Sequence, residues 1–371
     1  MTERRTPFHA GHVKLGAELT KGSGDFMCSM VYTTVAEEHV NTRTNVGMQD
    51  LSTMGKVDIK GPGAESLVNY LLVNDVHSAR IGQVRYSTVC REDGGILDDL
   101  TAFRLGDEHF MIVCGSVNRG KMVSWFTRHA EGRPAYVTDL TAALAMATVQ
   151  GPRSRELLKS IVRGADLDSL KHFWFTHGRI GDTHLMISRT GVTGELGFEL
   201  YIPADEAPPL WDALLEAGRD FGLKPYGRRA MFTLGLEKGY PAHGVDMDES
   251  RTPFHMGLDR WVRFDKGGFI GRDTLLRIRD SGVAERWVGL IVEGAVAPAP
   301  NDRVFSEGQI VGHVTYSNEG YSVGKILATA HVKTEYTGID TGLTILVGGA
   351  QIPAKVVRMP FFDPEGARLK S

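Results

Sequence analysis

The sequence predicts an α+β fold: two duplicated α+β layers followed by a small all-β barrel or sandwich at the carboxyl end. Three observations carry this. A strand–turn–helix pattern recurs about ninety residues apart, a strand-rich stretch separates the two copies, and the helical periodicity vanishes beyond about residue 284. In the first copy, Val57-Asp58-Ile59-Lys60 alternates apolar and polar as a half-buried strand does. Gly61-Pro62 makes the turn, and Leu67, Val68, Leu71 and Leu72 follow at helical spacing. In the second, Ala147 to Gln150 alternates, Gly151-Pro152 turns, and Leu157, Leu158, Ile161 and Val162 continue. Val262 to Phe264, Lys266-Gly267-Gly268 and then Leu275, Leu276 and Ile278 read as a looser third copy. So long a spacing argues for duplicated layers rather than a solenoid, whose repeat is roughly 20–50 residues.

Between the first two copies, Gln83 to Cys90, Asp99 to Leu105 and Phe110 to Cys114 are β-prone, and Asp93-Gly94-Gly95 supplies a hairpin turn. Ala204 to Phe221 is an amphipathic helix with Leu210, Trp211, Leu214 and Leu215 on its apolar side, stopped by Gly222. Arg279 to Arg286 is polar and reads as a linker. Beyond it, Trp287–Val292, Ile310–Tyr316, Ile326–Val332, Leu343–Val347 and Ile352–Val357 read as short strands, which suits a barrel or sandwich.

Composition narrows the function classes. The 371 residues carry 42 Lys+Arg against 45 Asp+Glu, a formal net charge of -3, without the basic excess that a nucleic-acid or membrane-surface footprint needs. The longest apolar stretch, Leu140 to Val149, is about half a bilayer span. Met1-Thr2-Glu3-Arg4-Arg5 leads into no apolar core, so no secretory leader is expected. Cys28, Cys90 and Cys114 form no Cys-x-x-Cys pair, which fits a reducing cytoplasm and neither a disulfide framework nor a zinc knot.

Candidate chemistry concentrates in three places. Asp98 and Asp99 are adjacent on a predicted strand just past a hairpin, so they point to opposite faces and only one can enter a given pocket. The pair is either a polar turn with one solvated carboxylate or an inward acid. Arg189-Thr190-Gly191-Val192-Thr193-Gly194-Glu195-Leu196-Gly197-Phe198-Glu199 has three glycines at spacing three. They make consecutive turns or let the backbone pass close to a flat ligand. Glu199, on a following alternating strand, is either exposed or grips a ring edge through two N–H groups. Phe173-Trp174-Phe175 either stacks on a heteroaromatic ligand or belongs to a core strand. His172, His177, His243 and His255 show no metal-ligand spacing, and no metal is expected.

Read in order, these segments resemble the aminomethyltransferase family, whose founding member is the T-protein of the glycine cleavage system. The resemblance rests on Glu38-His39, Val46 through Lys56, Asn74-Asp75-Val76, Tyr86, Gly94 through Leu100, Gln150-Gly151-Pro152, the Arg189–Glu199 block, Asp265 through Arg272 and Pro360-Phe361-Phe362, all in collinear order. It implies a three-domain disk: two intertwined α/β domains (ferredoxin-like, antiparallel sheets) and a C-terminal β-barrel. Residues 1–55 with 140–230 would form the folate-binding α+β domain, 56–139 with 231–283 the second α+β domain completing the pocket, and 284–371 the barrel. It implies tetrahydrofolate as cofactor, Asp99 as the catalytic aspartate, and Tyr86 and Glu199 as pocket tyrosine and pterin-edge glutamate. Trp174 and Phe173 would lie in the aromatic stretch flanking the folate, and Met54 in the pocket-lining Ser-x-Met-Gly element.

The chain departs from the family at Thr53 (usually His), Val192 (Tyr), Gly115 (Asn) and Met231 (Arg). Gly235 through Tyr240, Thr252 through Arg260 and Arg5-Thr6-Pro7-Phe8 look similar to members that demethylate small onium compounds or methylated amines. The preferred expectation is therefore transfer of a methyl group from a small S-, N- or O-methylated donor to tetrahydrofolate, giving 5-methyltetrahydrofolate. The second is glycine-cleavage aminomethyl transfer from a lipoylated carrier protein, giving 5,10-methylenetetrahydrofolate. The third is a non-enzymatic folate-binding module; its members carry a cysteine where this chain has Gly268.

Overall fold

Both Gly-Pro turns exist for a backbone reason. Gly61 and Gly151 adopt φ of 118° and 124°, where side chains are strained. A Cβ at Gly61 would stand 2.5 Å from the Pro134 carbonyl oxygen, and one at Gly151 2.3 Å from that of Asn45. Each turn launches a helix, Ala64–Leu71 and Ser154–Ile161, whose leucines are fully buried at helical spacing. The computed structural model describes residues 3–22, 24 and 26–371.

The first unit is a seven-stranded sheet in the order Val162–Arg163, Phe175–Ile180, Thr183–Ser188, Gly197–Pro203, Leu144–Gln150, Val46–Asp50 and Leu223–Pro225. All its pairs are antiparallel except the last, which is parallel. The second is a five-stranded antiparallel sheet ordered Val84–Cys90, Ile96–Gly106, His109–Cys114, Gly55–Lys60, Tyr136–Asp139. The chain passes from one to the other through Leu51–Met54. The third is the expected β-barrel, closed by six strands from Glu285–Val292 to Ala350–Val357 around a Val/Ala/Leu core.

Helices Ser154–Ile161 and Ala207–Ala217 cover the seven-stranded sheet, with the Trp211 ring tilted against that of Phe8 at 4.9 Å between centroids. Helices Ala64–Leu71 and Arg119–Ala130 cover the five-stranded one. The opposite faces of the two sheets meet in a separate cluster built from Val84, Phe103, Met111, Met146, Phe175 and Tyr201. Both sheets are thus buried on two sides. That is why Gly197–Pro203, expected to alternate, is buried at every residue but the last. A buried ionic network closes the assembly: Arg43 bonds Glu195 and Glu237 at 3.0 Å each, and His39 meets Glu237 at 3.1 Å.

Three expectations fail. Val262 to Phe264 is no strand; short 3-10 turns Asp259–Trp261 and Phe264–Lys266 occupy the region, and only the helix Arg272–Ser281 of the third copy forms. Phe264 and Val262 alternate by period two but pack into a cluster with Phe254, Phe269 and Leu275 instead of pairing with a sheet. Arg279 to Arg286 is no linker either: it ends that helix and begins the first barrel strand. The long helix is also shorter than expected, Ala207–Ala217, with a 3-10 turn before Gly222 at φ 67°. Among the described residues no helix is long and apolar enough to cross a membrane.

Candidate active site

Asp98 and Asp99 separate as adjacent strand residues must. Asp98, fully buried, accepts from the Gly115 N–H at 2.9 Å and the Asn118 amide at 2.8 Å. Asp99 points to the other face and accepts from the Tyr86 hydroxyl at 3.1 Å. The register explains that contact: Tyr86 lies opposite Thr101, so Asp99 is its diagonal cross-strand neighbour. Burial, and then the charge of Asp98, push the Asp99 carboxyl up to about 7. Burial also raises Asp98, while its two donors pull the other way. The two carboxyls titrate as a pair, and Asp99, with one donor against the two on Asp98, is the natural holder of the proton.

Aromatic rings continue from Tyr86. The Trp261 ring stands edge-on to it at 5.5 Å, and Phe173 edge-on to Trp261 at 6.5 Å. Phe173 reaches that position through a left-handed backbone, φ 60°, unusual for a bulky residue. Its N–H is held by the carbonyl of Arg189, just past the strand Thr183–Ser188, and its carbonyl by the Val84 N–H of the five-stranded sheet, at 3.0 and 2.8 Å. Phe173, Met54, Val192 and Met231 edge the cluster between the sheets. Met54 is fixed through its backbone: the ammonium of the fully buried Lys56 donates to the carbonyls of Ser52 and Met54 at 2.7 and 2.8 Å.

Glu199 is buried on the central strand of the seven-stranded sheet. Its Oε2 accepts from the Thr190 hydroxyl at 2.5 Å and the Tyr201 hydroxyl at 3.1 Å, while burial raises the carboxyl. Tyr201 in turn packs edge-on to Phe103 at 5.4 Å in the inter-sheet cluster. The spaced glycines serve protein side chains, not a flat ligand. A Cβ at Gly191 or Gly197 would lie 2.0 or 2.2 Å from the Gln150 amide, and one at Gly194 2.0 Å from Lys238.

The structure therefore brings Asp99, Tyr86 and Phe173 together through Trp261, with Met54 and the Glu199–Tyr201 pair on the same inter-sheet cluster. Trp174 stands apart: it packs with the core on the far side of the seven-stranded sheet, close to Gly82. Sequence reasoning missed Trp261, Tyr201, Thr190 and Lys56. Tyr201 was recoverable, since it follows Glu199 by the strand period of two; Trp261, on a 3-10 turn far along the chain, carried no such signal. Among the described residues no cluster of metal-ligating side chains occurs.

Residues 8–266 match the GCVT N-terminal domain, and 286–363 match the glycine cleavage T-protein C-terminal barrel domain. The chain is 36% identical over 359 residues to an aminomethyltransferase of Moorella thermoacetica, covering 97% of this chain and 98% of that one. It is 38% identical over 366 residues to an aminomethyltransferase of Streptomyces avermitilis, covering 97% of each. The crystal structure of glycine cleavage system aminomethyltransferase T from Bartonella henselae superposes with a TM-score of 0.91 at 28% identity, covering 98% of this chain and 99% of that one.

Proposed function

The chain belongs to the aminomethyltransferase family of the glycine cleavage T-protein, and from that membership we propose that it passes a one-carbon unit to tetrahydrofolate between its two sheets. Tetrahydrofolate, when bound, supplies the nitrogen that takes up the one-carbon unit. The residues present suit it. A pterin is flat and rich in N–H donors, and the inter-sheet cluster offers a buried acceptor carboxylate in Glu199 and apolar flanks in Met54, Phe173 and Trp261. Glu199, steadied by Thr190 and Tyr201, would hold the pterin edge.

Asp99 would receive the proton released as the new carbon–nitrogen bond forms and offset the positive charge that develops there. A carboxyl raised to about 7 is matched to that task near neutral pH, and it is the observation that carries the reading. Tyr86 would hold Asp99 in its rotamer. Asp98, engaged by Gly115 and Asn118, would stay on the far face and keep its partner's proton affinity high.

For the donor, the relatives favour aminomethyl transfer from a lipoylated carrier over the demethylation expected first. One observation keeps the methyl reading as a second. Val192 and Met231 present an uncharged wall to the cluster, and the Tyr86 ring would offer a face to a cationic onium group, about 0.5–2 kcal/mol, the Trp261 ring already carrying the Arg260 guanidinium at 4.9 Å. Anaerobic incubation with tetrahydrofolate and either aminomethyl-loaded lipoyl carrier or a panel of methylated small compounds separates the two by mass spectrometry. Methylene-folate formed only with the carrier supports the first, and methyl-folate formed from a small donor supports the second. Folate binding without any folate product overturns both in favour of a binding module.

A further inference from the structure

Phe173 keeps its left-handed backbone, φ 60°, at a place where glycine would turn freely but bring no ring to Trp261. A bulky residue stays in that region only where its surroundings over-determine it. One residue grips both sides of the turn. Arg189, 7% exposed, bonds it at three points. Its carbonyl accepts from the Phe173 N–H at 3.0 Å, and its own N–H donates to the Trp174 carbonyl at 2.8 Å. Its guanidinium Nη1 donates to the Leu170 carbonyl at 3.0 Å. The other terminal nitrogen, Nη2, reaches away from the turn to the main-chain oxygens of Leu369, at 3.4 Å, and Ser371. These two residues belong to the strap that carries the helix Ala367–Lys370, and Arg155 fastens Ser371 as well, at 2.9 Å.

Among the described residues no side-chain carboxylate pairs with Arg189, so every acceptor its guanidinium meets is a main-chain oxygen. Taking a guanidinium out of water without an ion-pair partner is a poor route to stability. What the arrangement does accomplish is local: it locks the turn that presents Phe173 to a second segment of the chain. We propose that Arg189 is a positioning residue for the one-carbon site. Its guanidinium ties Leu170 to the strap and so holds Phe173 in the backbone conformation that sets the ring against Trp261. It acts through Phe173 and not on the reacting atoms. The role rests on the proposed function, since it matters to folate only if the pterin lies along Phe173. Through Arg189, the strap that follows the barrel helps to shape a wall of the cluster between the two sheets.

The test compares the wild type with R189Q, R189K, F173A and the double variant R189Q/F173A, and thermal melting reports which are folded. Tetrahydropterin binding is measured by calorimetry. R189Q should weaken it about 5- to 20-fold, and F173A by at least as much. The double variant should bind no more weakly than F173A, because the arginine acts only through the ring. Turnover of R189Q at saturating tetrahydrofolate should stay within about twofold of the wild type while KM rises. Amide hydrogen exchange at residues 170–175 and at Val84 should quicken in R189Q without any ligand. R189K offers one nitrogen in place of the two divided between Leu170 and the strap. It should fall between the wild type and R189Q, and it carries the same comparison should R189Q not fold. Equal weakening by R189Q with and without the Phe173 ring, or unchanged exchange at 170–175, overturns the positioning role. Faster exchange in R189Q together with pterin binding untouched by F173A overturns instead the seating of the pterin along Phe173, on which the proposed function depends.

Discussion

Replacing Asp99 by asparagine separates what this carboxyl does for the chemistry from what it does to the fold. Burial and the neighbouring Asp98 lift it from 3.8 to about 7. Because the folded value lies above the unfolded one, the folded chain binds an extra proton between them. Stability is therefore highest at low pH, falls as pH rises from about 4 to about 7, and stays lowered above that. A gap of about three pH units corresponds to roughly 4 kcal/mol at about 1.4 kcal/mol each, distributed over two carboxyls that titrate together. D99N cannot ionise and keeps an oxygen for the Tyr86 hydroxyl. It should exceed the wild type by ~2–4 kcal/mol at pH 8 and by nothing measurable near pH 4. Denaturant unfolding at the two pH values reads this directly. Turnover should fall at least about a hundredfold with folate affinity largely kept. In the wild type, kcat/KM should rise along a limb with an apparent pKa near 7. Equal or lower stability of D99N at pH 8 would refute the raised carboxyl, and near-normal turnover would remove Asp99 from the reaction.

Further outcomes follow from other parts of the structure. E199Q should weaken tetrahydropterin binding about 10- to 100-fold in calorimetry, because a buried charged acceptor is exchanged for a neutral amide. Burial lowers the Lys56 ammonium to about 8, so the unfolded chain binds more protons between about 8 and 10.5. The wild type should therefore gain stability relative to K56M across that interval, on the order of 3 kcal/mol, in melts taken at successive pH; parallel curves would contradict it. R43M leaves Glu195 and Glu237 without their shared guanidinium and should cost about 3–5 kcal/mol in denaturant unfolding.

The parts of the fold that were legible in the sequence are those where backbone geometry dictates residue type. Gly61 and Gly151 turn where a Cβ would strike a carbonyl, and the leucines after them repeat at the spacing one buried face requires. The barrel was legible for the same reason, through its short apolar strands and turns. What the sequence hid depends on partners. A strand buried on both faces, such as Gly197–Pro203, loses the alternation that would mark it, and Val262 and Phe264 imitate a strand while filling a loop-built core. At the candidate site, the Asp98–Asp99 pair stood out because aspartate is depleted in strands, and the family resemblance singled out Asp99 and Glu199. Trp261 and Lys56 matter through contacts that no local pattern records. Trp174 sat in the right motif, but its neighbour Phe173 turns through a left-handed backbone and takes the position facing Trp261.

A crystal structure of the chain with tetrahydrofolate tests the central claim most directly. The pterin should lie between the two sheets, its N–H edge within hydrogen-bonding distance of Glu199 and its reacting nitrogen turned towards Asp99. A pterin bound elsewhere, or one seated there with Asp99 facing bulk water, would contradict it.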